Sequence, residues 1–133
     1  MALQLEIVTP AQRILTATCD EVRLPGAGGG FGVRPGHTAL VSALVAGELT
    51  YLTGGETIRY AVGEGFGEVE GDRVRVLVEE AVRSEDLDSA TVLADLDTRQ
   101  KALAALPPGH PNYDDARAQV ERAAAKALVA GRK

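Results

Sequence analysis

Hydrophobic residues change their spacing near Ser84, and this change constrains the fold more than any other feature of the sequence. Before Ser84, apolar residues alternate with polar ones, as between Leu3 and Ile7, and a period of two is typical of half-buried β-strands. After Ser84, apolar residues recur every three or four positions, which is the period of an amphipathic helix. We therefore predict an α+β protein, with a β domain over residues 1–84 and a helical segment over residues 85–133.

The β domain is predicted to consist of short strands joined by tight turns. Gly54-Gly55 separates two strand patterns, and Glu70-Gly71-Asp72 separates two more. Such closely spaced turns are typical of an antiparallel sandwich or barrel, and we expect a β-sandwich of about ten short strands. The segments that the pattern locates are residues 3–8, 11–15, 18–24, 31–34, 39–44, 48–53, 57–62, 65–70 and 73–79.

The helical segment is predicted to be an antiparallel two-helix hairpin. Asp86 or Asp88 would cap the first helix, residues 107–109 (PPG) would end it, and Asn112 would cap the second. The expected inward stripes are Leu93, Leu96, Gln100 and Leu103 on the first helix, and Tyr113, Ala116, Val120, Ala124 and Ala127 on the second. Because alanine buries little apolar area, we expect the hairpin to be held only weakly on the sandwich.

Charge is distributed unevenly along the chain. The net charge is −5, which argues against general nucleic-acid binding. Residues 99–133 nevertheless hold seven basic and three acidic residues, and a basic tail on an acidic protein predicts an acidic target. We expect no signal peptide and no apolar run of the roughly 20 residues that a membrane span requires. Membrane association would therefore come through a partner.

We expect no catalytic site and no metal site. The glycine cluster 26–32 lacks the Lys-Ser/Thr pair of a P-loop and is predicted to be a tight corner between strands. His37 has no nucleophile or orienting acid at a recognisable spacing. Cys19, His37 and His110 show no metal-ligand spacing, and Cys19 is expected to be a strand residue. Two alternatives stay open: a stand-alone β-sandwich binding module with a helical tail, and a small enzyme that uses His37.

Several motifs occur in a distinctive order along the chain. They are residues 5–10 (LEIVTP), 32–40 (GVRPGHTAL), 47–49 (GEL), 63–69 (GEGFGEV), 74–81 (VRVLVEEA) and 86–88 (DLD). Together they resemble the epsilon subunit of bacterial F-type, proton-translocating ATP synthases, and the resemblance runs over nearly the whole chain. Glu64 is a departure, since that position of the family's Gly-Gly-Phe-x-x-Val strand is commonly glycine.

The resemblance implies a non-catalytic subunit of the central stalk, or rotor. The sandwich would bind the gamma subunit and the membrane rotor ring, and so couple rotation of the ring to the catalytic head. The helices would move between a compact form and an extended form that contacts the alpha and beta subunits and inhibits ATP hydrolysis. The protein would be peripheral, at the cytoplasmic face of the bacterial cell membrane, without a cofactor or a nucleic-acid partner.

Two sets of candidate contact residues follow from this resemblance. Gly30, Phe31, Arg34 and His37 are the expected contacts with the rotor ring or gamma, because glycine lets a partner backbone approach closely and the two polar side chains can bond it. The expected inhibitory contacts are the basic residues of the second helix, Arg117, Arg122 and Lys126.

A nucleotide site is expected to be weak or absent. Some members of the family bind ATP through Ile/Leu-Asp-x-x-Arg-Ala at the start of the first helix. Leu87 and Asp88 match that motif, but Thr91 and Val92 replace its arginine and alanine. Arg99, with Arg117 and Arg122, would remain as a possible phosphate partner.

Overall fold

The computed structural model describes residues 2–132, so that Met1 and Lys133, the latter part of the predicted basic tail, lie outside the described residues. Within this range the structure confirms the predicted fold, a sandwich of ten strands followed by two helices. The strands are β1 (Leu3–Val8), β2 (Arg13–Cys19), β3 (Glu21–Leu24), β4 (Phe31–Val33), β5 (Leu40–Leu44), β6 (Gly47–Thr53), β7 (Glu56–Val62), β8 (Gly65–Glu70), β9 (Arg73–Val78) and β10 (Ala81–Arg83). A 3₁₀ turn (Ser84–Asp86) precedes α1 (Ser89–Ala104) and α2 (Tyr113–Ala130).

The strands form two five-stranded sheets that pack face to face. Sheet A has the order β2-β1-β9-β8-β5, and sheet B has the order β10-β7-β6-β3-β4. Among the described strands, β1 and β9 pair in parallel, and all the other pairs are antiparallel. Alternation places every second side chain of β1 and β9 between the sheets, which gives a core of aliphatic residues. The largest fully buried side chains of this core are Leu3, Leu5, Ile7, Val22, Val33, Leu49, Val62, Val74 and Val76.

The predicted strand boundaries are wrong in the region of β2 and β3. The predicted segments 11–15 and 18–24 are replaced by Arg13–Cys19 and Glu21–Leu24. Strand β2 starts later than predicted because Thr9 closes a turn, in which its backbone N–H donates to Gln12 O at 2.9 Å. Strand β10 lies outside the predicted segments and is only three residues long. Cys19 is a buried strand residue, as expected, and burial raises the pKa of its thiol.

The helix ends follow the predicted capping in part. Asp88 is the N-cap of α1, where its carboxylate accepts the backbone N–H of Thr91 at 2.9 Å. Asn112 occupies the N-cap position of α2, but its side chain makes no capping hydrogen bond.

The predicted inward stripes are partly wrong. On α1, Leu93 is 57% exposed and Gln100 is also exposed, whereas Val92 is buried. On α2, Ala124 is exposed, and the buried residues are Ala123, Ala125, Val129 and Ala130. The difference arises because α2 contacts both α1 and sheet B. Contact with two neighbours buries a wider face of the helix than a single stripe, and the middle of that face lies at other residues.

The hairpin lies on the outer face of sheet B, where α2 crosses β6 and β7. A second, smaller apolar cluster forms there and is separate from the core between the sheets. Its buried members are Ala61, Leu87, Val92, Val129 and Ala130. Small side chains at the contact let the helix approach the sheet closely, but they bury little area.

Candidate functional site: a hairpin–sandwich ion-pair interface and an apolar face

Ion pairs surround the apolar contact between α2 and the sandwich. The guanidinium of Arg122 donates two hydrogen bonds to Glu64, from Nε to Oε1 at 2.9 Å and from Nη2 to Oε2 at 2.8 Å. One turn further along α2, Lys126 Nζ lies 3.1 Å from Glu80 Oε1. In each case the cation belongs to the hairpin and the carboxylate to the sandwich.

The backbone of the sandwich places these two carboxylates side by side. Glu64 lies between β7 and β8, and Glu80 lies between β9 and β10. Gly63 N donates to Glu80 O at 2.9 Å, and Glu79 N donates to Glu64 O at 3.1 Å. The two connections are therefore bonded to each other without any contribution from the hairpin. We call Glu64, Glu79 and Glu80 the acidic turns.

A third ion pair lies at the end of α2. Arg132 Nη1 is 3.0 Å from Glu48 Oε1, and Arg59 Nη1 donates to the same oxygen at 3.4 Å. The other oxygen, Glu48 Oε2, is buried and has no hydrogen-bond partner among the described residues. Glu48 is thus a strand carboxylate shared between the sheet and the hairpin.

Protonation equilibria reflect the tight Glu64–Arg122 geometry. The hydrogen bond from Arg122 lowers the pKa of Glu64, although partial burial of the carboxylate opposes this shift. The same bond raises the pKa of Arg122, again against burial. Both shifts favour the charged forms, so the pair is ionised at neutral pH.

The expected inhibitory residues occupy two different environments. Arg122 and Lys126 are bound to carboxylates of the sandwich, whereas Arg117 pairs within its own helix with Glu121 at 3.2 Å and is 65% exposed. The structure therefore brings Arg122 and Lys126 together at the sandwich and leaves Arg117 apart from them. Their role in inhibition stays a prediction.

The residues proposed for a nucleotide do not share one site. Leu87 is buried in the apolar cluster, and Asp88 caps α1. Arg99 lies instead in a polar depression of about 240 Å³ between the hairpin and the sandwich, where its Nε donates to Asp95 at 3.0 Å and its Nη1 donates to Gln119. The residues that line this depression are Glu80, Asp95, Arg99, Gln119, Arg122, Ala123 and Lys126. Its three cations all have carboxylate partners.

The expected partner-contact residues lie at the two ends of β4, at the edge of sheet B. Gly30 is exposed and Phe31 is half-buried against the core, next to the glycine corner that ends β3. Beyond β4, Arg34 Nε donates to Glu21 at 3.3 Å, and His37 Nδ1 lies 2.7 Å from Thr38 O. The two pairs line separate depressions, so the structure does not bring all four together.

The glycine corner itself is as predicted. Gly29 N donates to Gly26 O at 3.0 Å, and Gly29 has a φ of +124°, which favours glycine. The corner leads directly into β4 rather than into a helix, so it lacks the helix N-terminus that a phosphate loop requires.

An exposed apolar row on the outer face of sheet A lies outside the sequence predictions. The pairing register places Ala43 opposite Phe66, Phe66 opposite Leu77, and Leu77 opposite Val8. Phe66 is 55% exposed, and Val41, diagonal to it on the same face, is 72% exposed. We call these five residues the apolar row. The sequence contained one indication of this row. Leu77 is an even number of residues from Arg73 and Arg75, so it lies on the same, solvent-facing side of β9.

Comparisons with known proteins agree with the fold. Residues 2–84 match the family of β-sandwich domains of ATP synthase delta/epsilon chains. The chain is 43% identical over 132 residues to the ATP synthase epsilon chain of Anaeromyxobacter sp. (strain Fw109-5), covering 99% of this chain and 100% of that relative. It is 41% identical over 130 residues to the ATP synthase epsilon chain of Geobacter metallireducens, covering 98% of this chain and 94% of that relative.

Two solved assemblies contain chains of similar fold. One is the Euglena gracilis mitochondrial ATP synthase (OSCP/F1/c-ring), with a TM-score of 0.80 and 21% identity over 99% of this chain and 82% of that one. The other is the central stalk and c-ring of the Tetrahymena thermophila mitochondrial ATP synthase, with a TM-score of 0.62 and 10% identity over 98% and 97%. Within residues 2–132, no helix is long and apolar enough to cross a membrane.

Proposed function

The chain belongs to the ATP synthase epsilon-chain family, and on this premise we propose that it is a non-catalytic subunit of the central stalk whose C-terminal hairpin inhibits ATP hydrolysis. Its sandwich would bind the gamma subunit and the membrane rotor ring and so couple rotation of the ring to the catalytic head. It would lie at the cytoplasmic face of the bacterial membrane, held there only by the complex.

One observation carries the inhibitory part of this proposal: the sandwich closes its core without the hairpin. Every buried residue of the main core comes from the strands, and the hairpin contributes only to the small cluster on the outside of sheet B. The strands would therefore remain packed if the hairpin left the sandwich. A folded rotor part with a separable helical part is what a movable brake requires.

The charges of α2 favour an acidic target for the released hairpin. Release would free Arg122 and Lys126 from their carboxylates and present them together with Arg117, which is already exposed. We propose that these three residues then bind acidic segments of the alpha and beta subunits. Single exposed ion pairs contribute only about 0–1 kcal/mol each, so the steric presence of the helix must supply part of the block.

ATP hydrolysis by the assembled complex tests this proposal. Removing residues 85–133 should raise hydrolysis by about fivefold or more, which is the coupling typical of a two-state switch. Restoring the hairpin with Arg117, Arg122 and Lys126 changed to Ala should retain much of that rise. Unchanged hydrolysis after deletion would contradict a brake. Activation by deletion but not by the triple change would leave the steric block and reject the role of charge.

The apolar row supports a contact between sheet A and the gamma subunit. Contiguous exposed apolar residues on a soluble protein commonly mark a protein interface. A tagged chain should co-purify with the ATP synthase, and Phe66→Ser should reduce that recovery. Leu93→Ser is the matched control, because Leu93 is equally exposed but lies on the hairpin. Equal loss with both variants would contradict the proposed surface, and a monomer without partners would favour the stand-alone binding module.

The loops at the two ends of β4 are the proposed second contact, with the rotor ring or gamma. Gly30 and Phe31 lie at the start of β4, and Arg34 and His37 follow its end. A crosslinker attached at Arg34→Cys, in a Cys19→Ser background, should reach one of these subunits. Products formed only with the catalytic head would contradict the assignment.

Nucleotide binding to the polar depression is proposed to be weak. Arg99 and Arg122 are already bonded to Asp95 and Glu64, so a phosphate would have to displace a carboxylate from each. Calorimetry on the isolated chain should show no binding at micromolar ATP, and a micromolar affinity would contradict this expectation.

A further inference from the structure

The acidic turns are held to each other by backbone hydrogen bonds that do not involve the hairpin. Their two connecting segments are bonded to each other through backbone groups, Gly63 N to Glu80 O and Glu79 N to Glu64 O. A side chain at position 63 would be crowded, because a Cβ there would lie 3.3 Å from Glu80 N. The carboxylates of Glu64 and Glu80 are thus carried by a rigid part of the sandwich, which lowers the entropy cost of pairing them.

The spacing of the cations on α2 matches these carboxylates. Arg122 and Lys126 are four residues apart and therefore lie on the same face of the helix, one turn from each other. Arg122 binds both oxygens of Glu64, and a bidentate guanidinium–carboxylate pair has a defined orientation as well as an attraction. Lys126 reaches Glu80 from the next turn.

Charges from every neighbouring element face this contact. The strand connections contribute Glu64, Glu79 and Glu80, α2 contributes Arg122 and Lys126, and α1 contributes the internally paired Asp95 and Arg99. Since Asp95 and Arg99 neutralise each other, the net attraction across the contact runs between the acidic turns and α2. The hairpin is thus held by positive charges on α2 that face negative charges on the sandwich.

We propose that Glu64, assisted by Glu80, is a latch that holds the hairpin in the compact form by occupying cations that the brake also uses. The first half of this inference, that Glu64 holds the hairpin on the sandwich, does not depend on the proposed function. The second half, that the brake uses the same cations, rests on it. Arg122 and Lys126 cannot bind the sandwich and an acidic segment of the catalytic head at the same time. Latch and brake are therefore competing uses of the same two side chains.

This competition makes an unusual prediction for two neutral variants of one ion pair. Glu64→Gln removes the latch and leaves all brake cations in place, so it should shift the hairpin toward the extended form and strengthen inhibition. Arg122→Met removes a cation that belongs to both the latch and the brake. It should therefore release the hairpin and also weaken the inhibitory contact, and these two effects on inhibition oppose each other. Glu64→Gln keeps the backbone bond from Glu79 N to Glu64 O, which does not involve the side chain.

Hydrogen exchange of the isolated full chain tests the latch without the ATP synthase. At low salt, Glu64→Gln should speed exchange of the buried end of α2 by about threefold, the value expected for a partly exposed ion pair. The same change in an Arg122→Met background should have no further effect. Glu121→Gln is the matched control, because Glu121 pairs with Arg117 on the same helix and not with the sandwich. It should leave the buried end of α2 unchanged.

The results separate the latch from the proposed function. If Glu64→Gln fails to speed exchange, or acts equally with and without Arg122, the latch is overturned. Hydrolysis by the assembled complex then tests the competition: Glu64→Gln should lower it, and Asp97→Asn, which removes only the exposed pair with Lys101 within α1, should not. Faster exchange with unchanged hydrolysis would overturn the competition while the latch stands. Unchanged hydrolysis also after deletion of residues 85–133 would overturn the brake itself.

Discussion

Val129→Ala should release the hairpin while leaving the sandwich intact. Val129 is fully buried in the cluster between α2 and sheet B. The change removes two carbon atoms, which at about 0.8 kcal/mol each corresponds to about 1.6 kcal/mol, and the residual cavity brings the cost to about 2 kcal/mol. Because this cluster is separate from the main core, the cost should fall on docking of the hairpin alone. The undocked population should rise by about thirtyfold.

Native-state hydrogen exchange measures this effect residue by residue. Amides of α2 should exchange about thirtyfold faster in Val129→Ala, and the slow amides of β1 and β9 should keep their rates. Leu128→Ala is the matched control, since Leu128 is adjacent and larger but 47% exposed; it should change exchange little. Equal acceleration in the strands would refute the separate cluster, and no acceleration in α2 would refute the docking energetics.

Three further predictions concern the sandwich, one of its glycines and the latch carboxylate. A fragment of residues 1–84 should retain slowly exchanging strand amides, because its core is complete without the hairpin; their loss would reject an independent sandwich. Gly65→Ala should lower the melting temperature strongly, since its Cβ would lie 1.9 Å from a carbonyl oxygen of β9, whereas Gly28→Ala, with open space around it, should not. Because hydrogen bonding to Arg122 lowers the pKa of Glu64 below its ordinary value of 4.5, the contribution of this pair to docking should be complete above that pH and disappear as the pH falls through the lowered pKa. Amide exchange of α2, measured at constant salt and corrected for the intrinsic exchange rate, should become faster as this contribution is lost. In Glu64→Gln, the part of this acceleration that is due to protonation of Glu64 should be absent.

Strands were predictable where alternation and turn glycines coincide. The segments 3–8, 57–62 and 65–70 were located closely because alternating residues run between clear turn signals. The boundary between β2 and β3 falls at Asp20 and was missed because residues 19–21 contain neither glycine nor proline. Strand β10 is defined by its pairing with β7, and three residues are too few for a period to appear.

Helix existence was predictable, but the buried helix faces were not. A stripe computed from one helix assumes one neighbour, whereas α2 contacts α1 and two strands. Leu93 is exposed although it is more hydrophobic than its surroundings, because Val92 occupies the position that faces Leu87 and Val129. Which of the two neighbouring residues is buried depends on how the helix packs in the tertiary structure, and this cannot be read from the spacing of apolar residues alone.

The basic face of α2 was visible in the sequence, but its partners were not. Arg122 and Glu64 are 58 residues apart, and no local pattern links an arginine on a helix to a glutamate in a strand connection. The fold brings them together because α2 crosses β6 and β7, and the acidic turns adjoin the end of β7. The basic residues were therefore assigned only to a distant target, and their binding to the sandwich was missed.

The most direct test of a movable hairpin is ATP hydrolysis by the assembled complex with the hairpin tied to the sandwich. Glu48→Cys and Arg132→Cys, in a Cys19→Ser background, place two thiols at a contact between β6 and the end of α2 that uses none of the proposed inhibitory residues. A short, reducible thiol crosslinker would then hold α2 in the compact form. Hydrolysis should rise to the level of the complex that lacks residues 85–133, and reduction should restore inhibition. Hydrolysis that stays inhibited with the hairpin fully crosslinked would contradict the brake.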